Sequence, residues 1–422
     1  MTGGGRPAGL PELLAPAGSM EALRAALRFG ADAVYGGLTR YGLRASAANF
    51  TPETLAQAVQ AAHAAGARFY ATLNLLPLDS DLDGYLDTAR QAAEAGVDAA
   101  IVSDLGAALL LKRELPGLPL HISTQANVLN SLTALHFHEA TGAVRVVLSR
   151  EMSLSDIRGM RRRLPASLEL EAFVHGAMCV AYSGRCLLSA ALTGRSANRG
   201  ECAQPCRWRY QVTEERRPGE YLPVVEGERG TYLFSAPDLC MLPHLPELID
   251  AGVASLKIEG RMKTAYSVAT VVWAYRRALD TLARQGEAAY RGAVPELMAE
   301  LRKASHRQSN TGFYFGEPEP AAGAGGYEQE MEFVGFVSRG AAAGAPAEVT
   351  LKNRFFVGDA LEALTPEGPK PFTVGDLTLA DTGEAVRTAG VAGTRLILTF
   401  PFPVDEGDLL RGPNRNHANP AR

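Results

Sequence analysis

Between Pro11 and Ile258 the chain repeats one pattern eight times: a short apolar run of strand character, then an amphipathic stretch of helical period. The runs fall at residues 13–15, 33–35, 68–73, 99–102, 120–123, 144–148, 168–173 and 255–258. Between them, residues 19–29, 51–64 and 82–95 read as helices closed by Gly30, Gly66 and Gly96, which can turn the chain out of a helix at no Cβ cost. Thr51-Pro52-Glu53 and Ser153-Leu154-Ser155-Asp156 supply capping hydroxyls and acidic first turns. Eight strand–helix repeats of roughly 25 to 30 residues predict an α/β fold of the TIM-like (β/α)8 barrel type. An open doubly wound sheet is the competing architecture, but no glycine-rich dinucleotide fingerprint follows any of the runs.

The pattern changes after the eighth run. Residues 264–284 and 294–304 read as two helices, and Ala321-Ala322-Gly323-Ala324-Gly325-Gly326 breaks the periodicity. Beyond it, residues 333–337, 347–351, 361–364 and 395–399 alternate like strands, with turns at Pro366-Glu367-Gly368 and Asp405-Glu406-Gly407-Asp408. The expected organisation is therefore a flexible tail (1–10), a barrel domain (11–316), a linker (317–331) and a C-terminal small β-barrel domain (332–422). A cysteine-rich insertion, 177–240, leaves the seventh strand at its C-terminal end, where a barrel keeps its active site.

All five cysteines lie in that insertion: Cys179, Cys186, Cys202, Cys206 and Cys240. An odd count with no export signal argues against disulfides. A structural zinc site usually shows two close pairs, and only Cys202 and Cys206 are that near. An iron–sulfur cluster also takes four thiolates and accepts wider, loop-borne spacings; unligated thiols are the remaining reading. The formal net charge of −4 excludes a broadly basic nucleic-acid coat, so RNA contact must come from local patches. No apolar run approaches the ~18 residues of a membrane span, and the first ten residues lack an apolar signal core, so a cytoplasmic protein is expected. Neither Gly-x-Ser-x-Gly nor His-Glu-x-x-His occurs.

The run from Glu171 to Ser189, E-A-F-V-H-G-A-M-C-V-A-Y-S-G-R-C-L-L-S, resembles the signature of the collagenase-like peptidase family, the unclassified-peptidase group numbered 32. The resemblance extends through Glu12–Gly18, Ser123–Asn127, Leu256–Arg261, Thr311–Tyr314 and the β-rich tail. It implies either a collagenase-like peptidase or a role in RNA modification. Members of the family form 5-hydroxyuridine at the tRNA wobble position with prephenate as a required metabolite, and other branches act on ribosomal RNA or on the ubiquinone ring. Several carry a 4Fe-4S cluster. Residues 198–208 and Asp238–Met241 are most similar to the tRNA branch. The implied cluster ligands are Cys179, Cys186, Cys202 and Cys206, with Cys240 as the alternative fourth; the implied partners are tRNA and a related second subunit or a second copy of the chain, or else the protein is a non-catalytic accessory subunit.

The remaining candidates follow from position and chemistry. Glu171 and Glu259 suit acid–base work, although a buried carboxylate paired with arginine is an equal reading. His175, four residues before Cys179, is placed to bond a cluster sulfur or act on substrate, or to be a core histidine satisfied by backbone. His121, Gln125, Arg150, Lys257 and Arg261 lie at or beside strand ends, where cations clamp a dicarboxylate or phosphate. Arg199, Arg207, Trp208 and Arg209 combine charge with an aromatic face, as RNA contacts do. Arg161-Arg162-Arg163 reads as favourable charge at a helix C-terminus.

Overall fold

A computed structural model of the chain describes residues 9–43, 47–179, 181–208, 225–227, 230–232, 237–316 and 327–414. Seven parallel strands come first: β1 (Glu12–Ala17), β2 (Ala33–Gly37), β3 (Arg68–Leu73), β4 (Ala99–Val102), β5 (Leu120–Ile122), β6 (Arg145–Val147) and β7 (Glu169–Ala177). The eighth, Ser255–Ile258, pairs in parallel with β7 through Ser255↔Glu171 and with β1 through Glu12↔Ser255, which closes the barrel. All eight expected runs are strands. Their side chains are almost all buried because helices cover the outside: α1 (Met20–Arg28), α2 (Pro52–Ala64), α3 (Leu82–Glu94), α4 (Leu105–Glu114), α5 (Ser131–Thr141) and α6 (Leu154–Arg161).

The helix boundaries follow the capping chemistry. The Ser19 hydroxyl accepts from the Ala22 N–H, and Thr51 with Thr54 and Ser153 with Asp156 form reciprocal capping boxes. Gly30, Gly66 and Gly96 adopt φ of 100°, 74° and 82°, as a chain leaving a helix requires. Arg161 caps the end of α6 by donating to the carbonyls of Leu168 (2.6 Å) and Leu164 (2.9 Å), a local structural task.

The insertion carries the short helix α7 (Leu188–Thr193) and returns as a short strand, Asp238–Cys240, antiparallel to the upper part of β7. Only then does α8 (Leu245–Asp250) lead to the eighth strand. The two helices expected after the barrel are α9, Ala265–Arg302, interrupted at Gly286 (φ 82°, ψ 176°). The second half therefore starts earlier than the expected residue 294, and a Glu287–Arg291 pair at 2.8 Å supports that added turn.

The C-terminal unit is a seven-stranded antiparallel sheet in the order Gly368–Thr373, Ala360–Thr365, Leu409–Pro413, Met331–Arg339, Pro346–Leu351, Arg395–Thr399, Thr378–Leu379. Among the described residues no ladder joins its two end strands. It encloses its own core of Val337, Val349, Leu351, Phe355, Leu396 and Phe400. Leu364 and Leu409 belong instead to the large core between barrel strands and helices, so the two units share apolar packing. Residues 1–8 of the expected tail (1–10) and 317–326 of the expected linker (317–331) lie outside the described residues. Among the described residues no helix is long and apolar enough to cross a membrane.

Candidate functional site

The barrel's interior is charged at its lower end. Glu12, the first residue of β1, accepts from Arg145 Nη1 (2.7 Å), the Tyr70 hydroxyl (2.7 Å) and the Ser255 hydroxyl (3.0 Å). Arg145 also pairs with Glu171 (3.1 Å), and the other Glu171 oxygen accepts from Lys257 Nζ at 2.7 Å. Two buried carboxylates and two buried cations thus neutralise one another, as charges withdrawn from water must. Glu171 has no exposed surface and lies below the cavity floor, where it follows the ion-pair reading given above. His121 packs edge-on against Tyr70, and burial together with Arg145 holds its imidazole neutral well below the usual histidine value.

Above this layer, at the C-terminal mouth, lies an open cavity of about 1700 Å³. Its floor and walls include Tyr35, Thr72, Asn74, Gln125, Arg150, Phe173, Lys257 and Arg261. Lys257 links the two levels: its ammonium sits 4.4 Å from the Tyr35 ring centre and 5.5 Å from that of Phe173. Burial pushes it below the ordinary lysine value, Arg145 and Arg261 push the same way, and Glu171 opposes them. Arg261 donates to the Thr72 hydroxyl at 2.7 Å and lies against Gly37, where a Cβ would come within 2.2 Å of its guanidinium. Arg150 stacks over Phe173 at 4.1 Å and donates to the Ala177 carbonyl. Three buried polar atoms on this lining, Gln125 Oε1, Asn74 Oδ1 and Arg150 Nε, have no hydrogen-bond partner among the described residues. Buried polar groups normally find partners, so a polar ligand is the natural complement of these three.

The insertion forms the opposite wall and carries Cys179, Cys186, Cys202 and Cys206 into the same cavity. It is fastened at three points. Asn127 donates to the Ser183 carbonyl (2.8 Å); Gly184 leaves room for Gln125, whose Oε1 would be 2.5 Å from a Cβ there; Arg199 forms a bidentate pair with Asp81 at 2.6 and 3.1 Å. The Arg199 hydrogen bonds hold the Asp81 carboxyl down at about 2. All five cysteines are unbridged thiols. Among the described residues no three His, Cys, Asp or Glu side chains stand at metal-ligating spacing. The fit to an iron–sulfur group is one of donor chemistry: four soft sulfurs face one space, and the Gln204 N–H points at the Cys202 sulfur at 3.4 Å, as amides do around cluster thiolates.

Cys240 and His175 face elsewhere. Both line a second cavity of about 670 Å³ between the end of β7 and α9. The Cys240 sulfur lies 4.0 Å from the Tyr275 hydroxyl and 3.7 Å from Met298 Sδ, and burial pushes its thiol up. His175 meets Tyr275 edge-on; burial pushes it down to about 4. Glu259 and Lys263 line both cavities. Arg199 is engaged with Asp81 at the insertion's edge, and Trp208 is an exposed indole there. The Arg207 side chain and all of Arg209 lie outside the described residues. Sequence reasoning missed Tyr35, Thr72, Asn74 and Lys263; Thr72 and Asn74 flank the last residue of β3, a strand-end position that was the available signal, whereas Tyr35 lies in the middle of β2.

Comparison with known proteins follows the same division of the chain. The profile of Peptidase family U32 matches residues 18–323, and that of the Peptidase family U32 C-terminal domain matches residues 329–411. The tRNA hydroxylation protein P of Escherichia coli is 36% identical over 438 residues, covering 94% of each chain. The tRNA hydroxylation protein P1 of Bacillus subtilis is 38% identical over 368 residues, covering 85% of this chain and 84% of its own. A collagenase of Porphyromonas gingivalis is 36% identical over 279 residues, covering 64% of this chain and 65% of its own. With the barrel and its cysteine-bearing wall inside the first profile from residue 18 onward and the C-terminal sheet largely inside the second, this chain belongs to peptidase family U32.

Proposed function

We propose that this chain hydroxylates the wobble uridine of tRNA to 5-hydroxyuridine in the cytoplasm, with a 4Fe-4S cluster on Cys179, Cys186, Cys202 and Cys206 and prephenate as a required metabolite. The observation that carries the reading is the cavity itself, where four thiols face a wall bearing Arg150, Lys257 and Arg261. Oxygen insertion into a pyrimidine is an oxidation that ordinary side chains do not perform, and a cluster held there supplies electron transfer. The two cysteine pairs hold it, and the Gln204 amide tunes it through Cys202. Arg150 and Arg261 are the cations for the carboxylates of prephenate, while Gln125 and Asn74 offer carbonyl oxygens to hydroxyl or imino donors. The names of the E. coli and B. subtilis relatives support the tRNA substrate.

The collagenase relative favours a second reading, peptide hydrolysis. Against it, no described residue lining the cavity is a histidine, so Ser123, Ser183 and the cysteines there lack the usual base. Nucleoside mass spectrometry of tRNA from a deletion strain, grown without oxygen, decides between them. Loss of 5-hydroxyuridine-derived nucleosides, restored by the intact gene, supports hydroxylation. Unchanged wobble uridines with gelatin cleavage by the purified protein transfers the case to the peptidase. Restoration only in the presence of a second purified subunit makes this chain an accessory.

A further inference from the structure

Of the 42 basic residues in this chain, 36 are arginines and six are lysines. One of the six, Lys257, stands where a cation is most enclosed on the cavity wall, only 4% exposed. Arginine would answer the Glu171 carboxylate as well and stay charged at any pH. What lysine adds at that point is an amine that can lose its proton. We propose that Lys257 is a nucleophile that forms an imine with the carbonyl carbon of a small 2-oxo carboxylate bound in the barrel cavity, with Arg150 and Arg261 on its carboxylate.

The surroundings meet the needs of that chemistry. Lysines become nucleophilic when desolvated or set beside other cations, and Lys257 has both: burial pushes its ammonium below the ordinary value against the opposing pull of Glu171, and Arg145 and Arg261 add to the burial. Glu171, 2.7 Å from Nζ, is the proton acceptor. It takes one ammonium proton, and the nitrogen then adds to the carbonyl carbon. A second proton passes from nitrogen to the former carbonyl oxygen, and Glu171 returns the first to the same oxygen. The carbon–oxygen bond breaks, water leaves with those two protons, and the iminium keeps the third proton and the positive charge. Glu171 therefore faces a cation before and after, and its partner Arg145 need not move. The Tyr35 and Phe173 rings flank the nitrogen and limit access of bulk water.

The inference deepens the proposed reading of the cavity as a carboxylate site, and its test reads an adduct without tRNA. Full-length protein is incubated with pyruvate and cyanoborohydride, digested and mapped by mass spectrometry. Reduction of the imine leaves one carboxyethyl group on Lys257, favoured more than about tenfold over Lys112, Lys303, Lys352 and Lys370. Lys257→Arg keeps a cation beside Glu171 and loses the adduct. If that variant does not fold, the wild-type peptide map alone decides. No adduct, labelling spread evenly over the lysines, or labelling at Lys263 in place of Lys257 overturns the proposal. Protein that hydroxylates tRNA yet gives no adduct overturns the imine and leaves the function standing; an adduct in protein that modifies no tRNA supports the imine and removes the function.

Discussion

Cys240 sits among Tyr275, Met298 and the strand backbone, where burial disfavours a thiolate, while the other four cysteines share a solvent-reached cavity. Ligation needs thiolate, so replacing Cys179, Cys186, Cys202 or Cys206 with serine is expected to remove most of the iron and acid-labile sulfide of anaerobically purified protein. Cys240→Ala is expected to keep both and to lose only about 1–2 kcal/mol of stability from the small void it leaves. Iron and sulfide assays on the five variants check this. Retained iron in Cys206→Ser with loss in Cys240→Ala would move the fourth ligand to Cys240. His175 gives a second residue-scale expectation. Its imidazole is neutral in the fold down to about 4, against an ordinary value of 6.5. Between those values the unfolded chain binds the extra proton, so stability is whole above pH 6.5 and falls as pH drops toward 4, by at most about 3 kcal/mol. His121 acts in the same direction. The urea midpoint of His175→Asn, measured at pH 7 and 4.5, is expected to shift less with acid than that of the wild type.

At the scale of elements, the segment following the eighth strand is the wall between the two cavities, since Glu259, Gly260 and Lys263 line both. Gly176 in β7 fixes its position: at φ 105°, a Cβ there would lie 2.5 Å from the Glu259 carbonyl oxygen. Gly142, at φ 71° beyond α5, has nothing within 4 Å of the same atom. Gly142→Ala should therefore cost only left-handed strain, about 1 kcal/mol, whereas Gly176→Ala adds a backbone clash and is expected to cost at least about 2 kcal/mol more in urea unfolding. Equal losses would mean the wall yields freely. The contrast also marks what a sequence discloses. The eight strands and the helix caps were legible because each rests on local period and on one side chain, such as Thr51 or Ser153. The insertion's destination was legible from where it leaves β7. The assignment of Cys240 and His175 to a separate cavity was not, because it depends on the antiparallel return of Asp238–Cys240 along β7, a pairing no local pattern announces. Arg145, the centre of the buried ion network, was passed over for the same reason: its partners Glu12 and Glu171 lie on strands distant in sequence.

Across the whole molecule, charged contacts fasten the C-terminal sheet to the barrel. Arg411, on the sheet and fully buried, pairs with Glu300 of α9 and with Glu362 at 2.7 Å. Lys303 joins the same two carboxylates at 3.1 and 3.0 Å. Around this cluster the Trp273 indole donates to the Pro366 carbonyl, Arg28 pairs with Asp408, and Leu364 and Leu409 enter the barrel's core. A sheet held this way is part of the barrel's cooperative unit, so wild-type unfolding should be a single transition despite the two matched family profiles. Arg411→Met keeps much of the volume but leaves Glu300 and Glu362, among the described residues, with only Lys303 between them. Removing one partner from a buried ion cluster costs roughly 3–5 kcal/mol, a large part of the 5–15 kcal/mol that holds a folded domain. Because that loss falls at the junction and not in either core, the variant is expected to unfold in two steps, the sheet first. Calorimetry of the two proteins reads this directly: one peak that splits on substitution supports the coupling, and two peaks already in the wild type would show that the junction carries no cooperative energy.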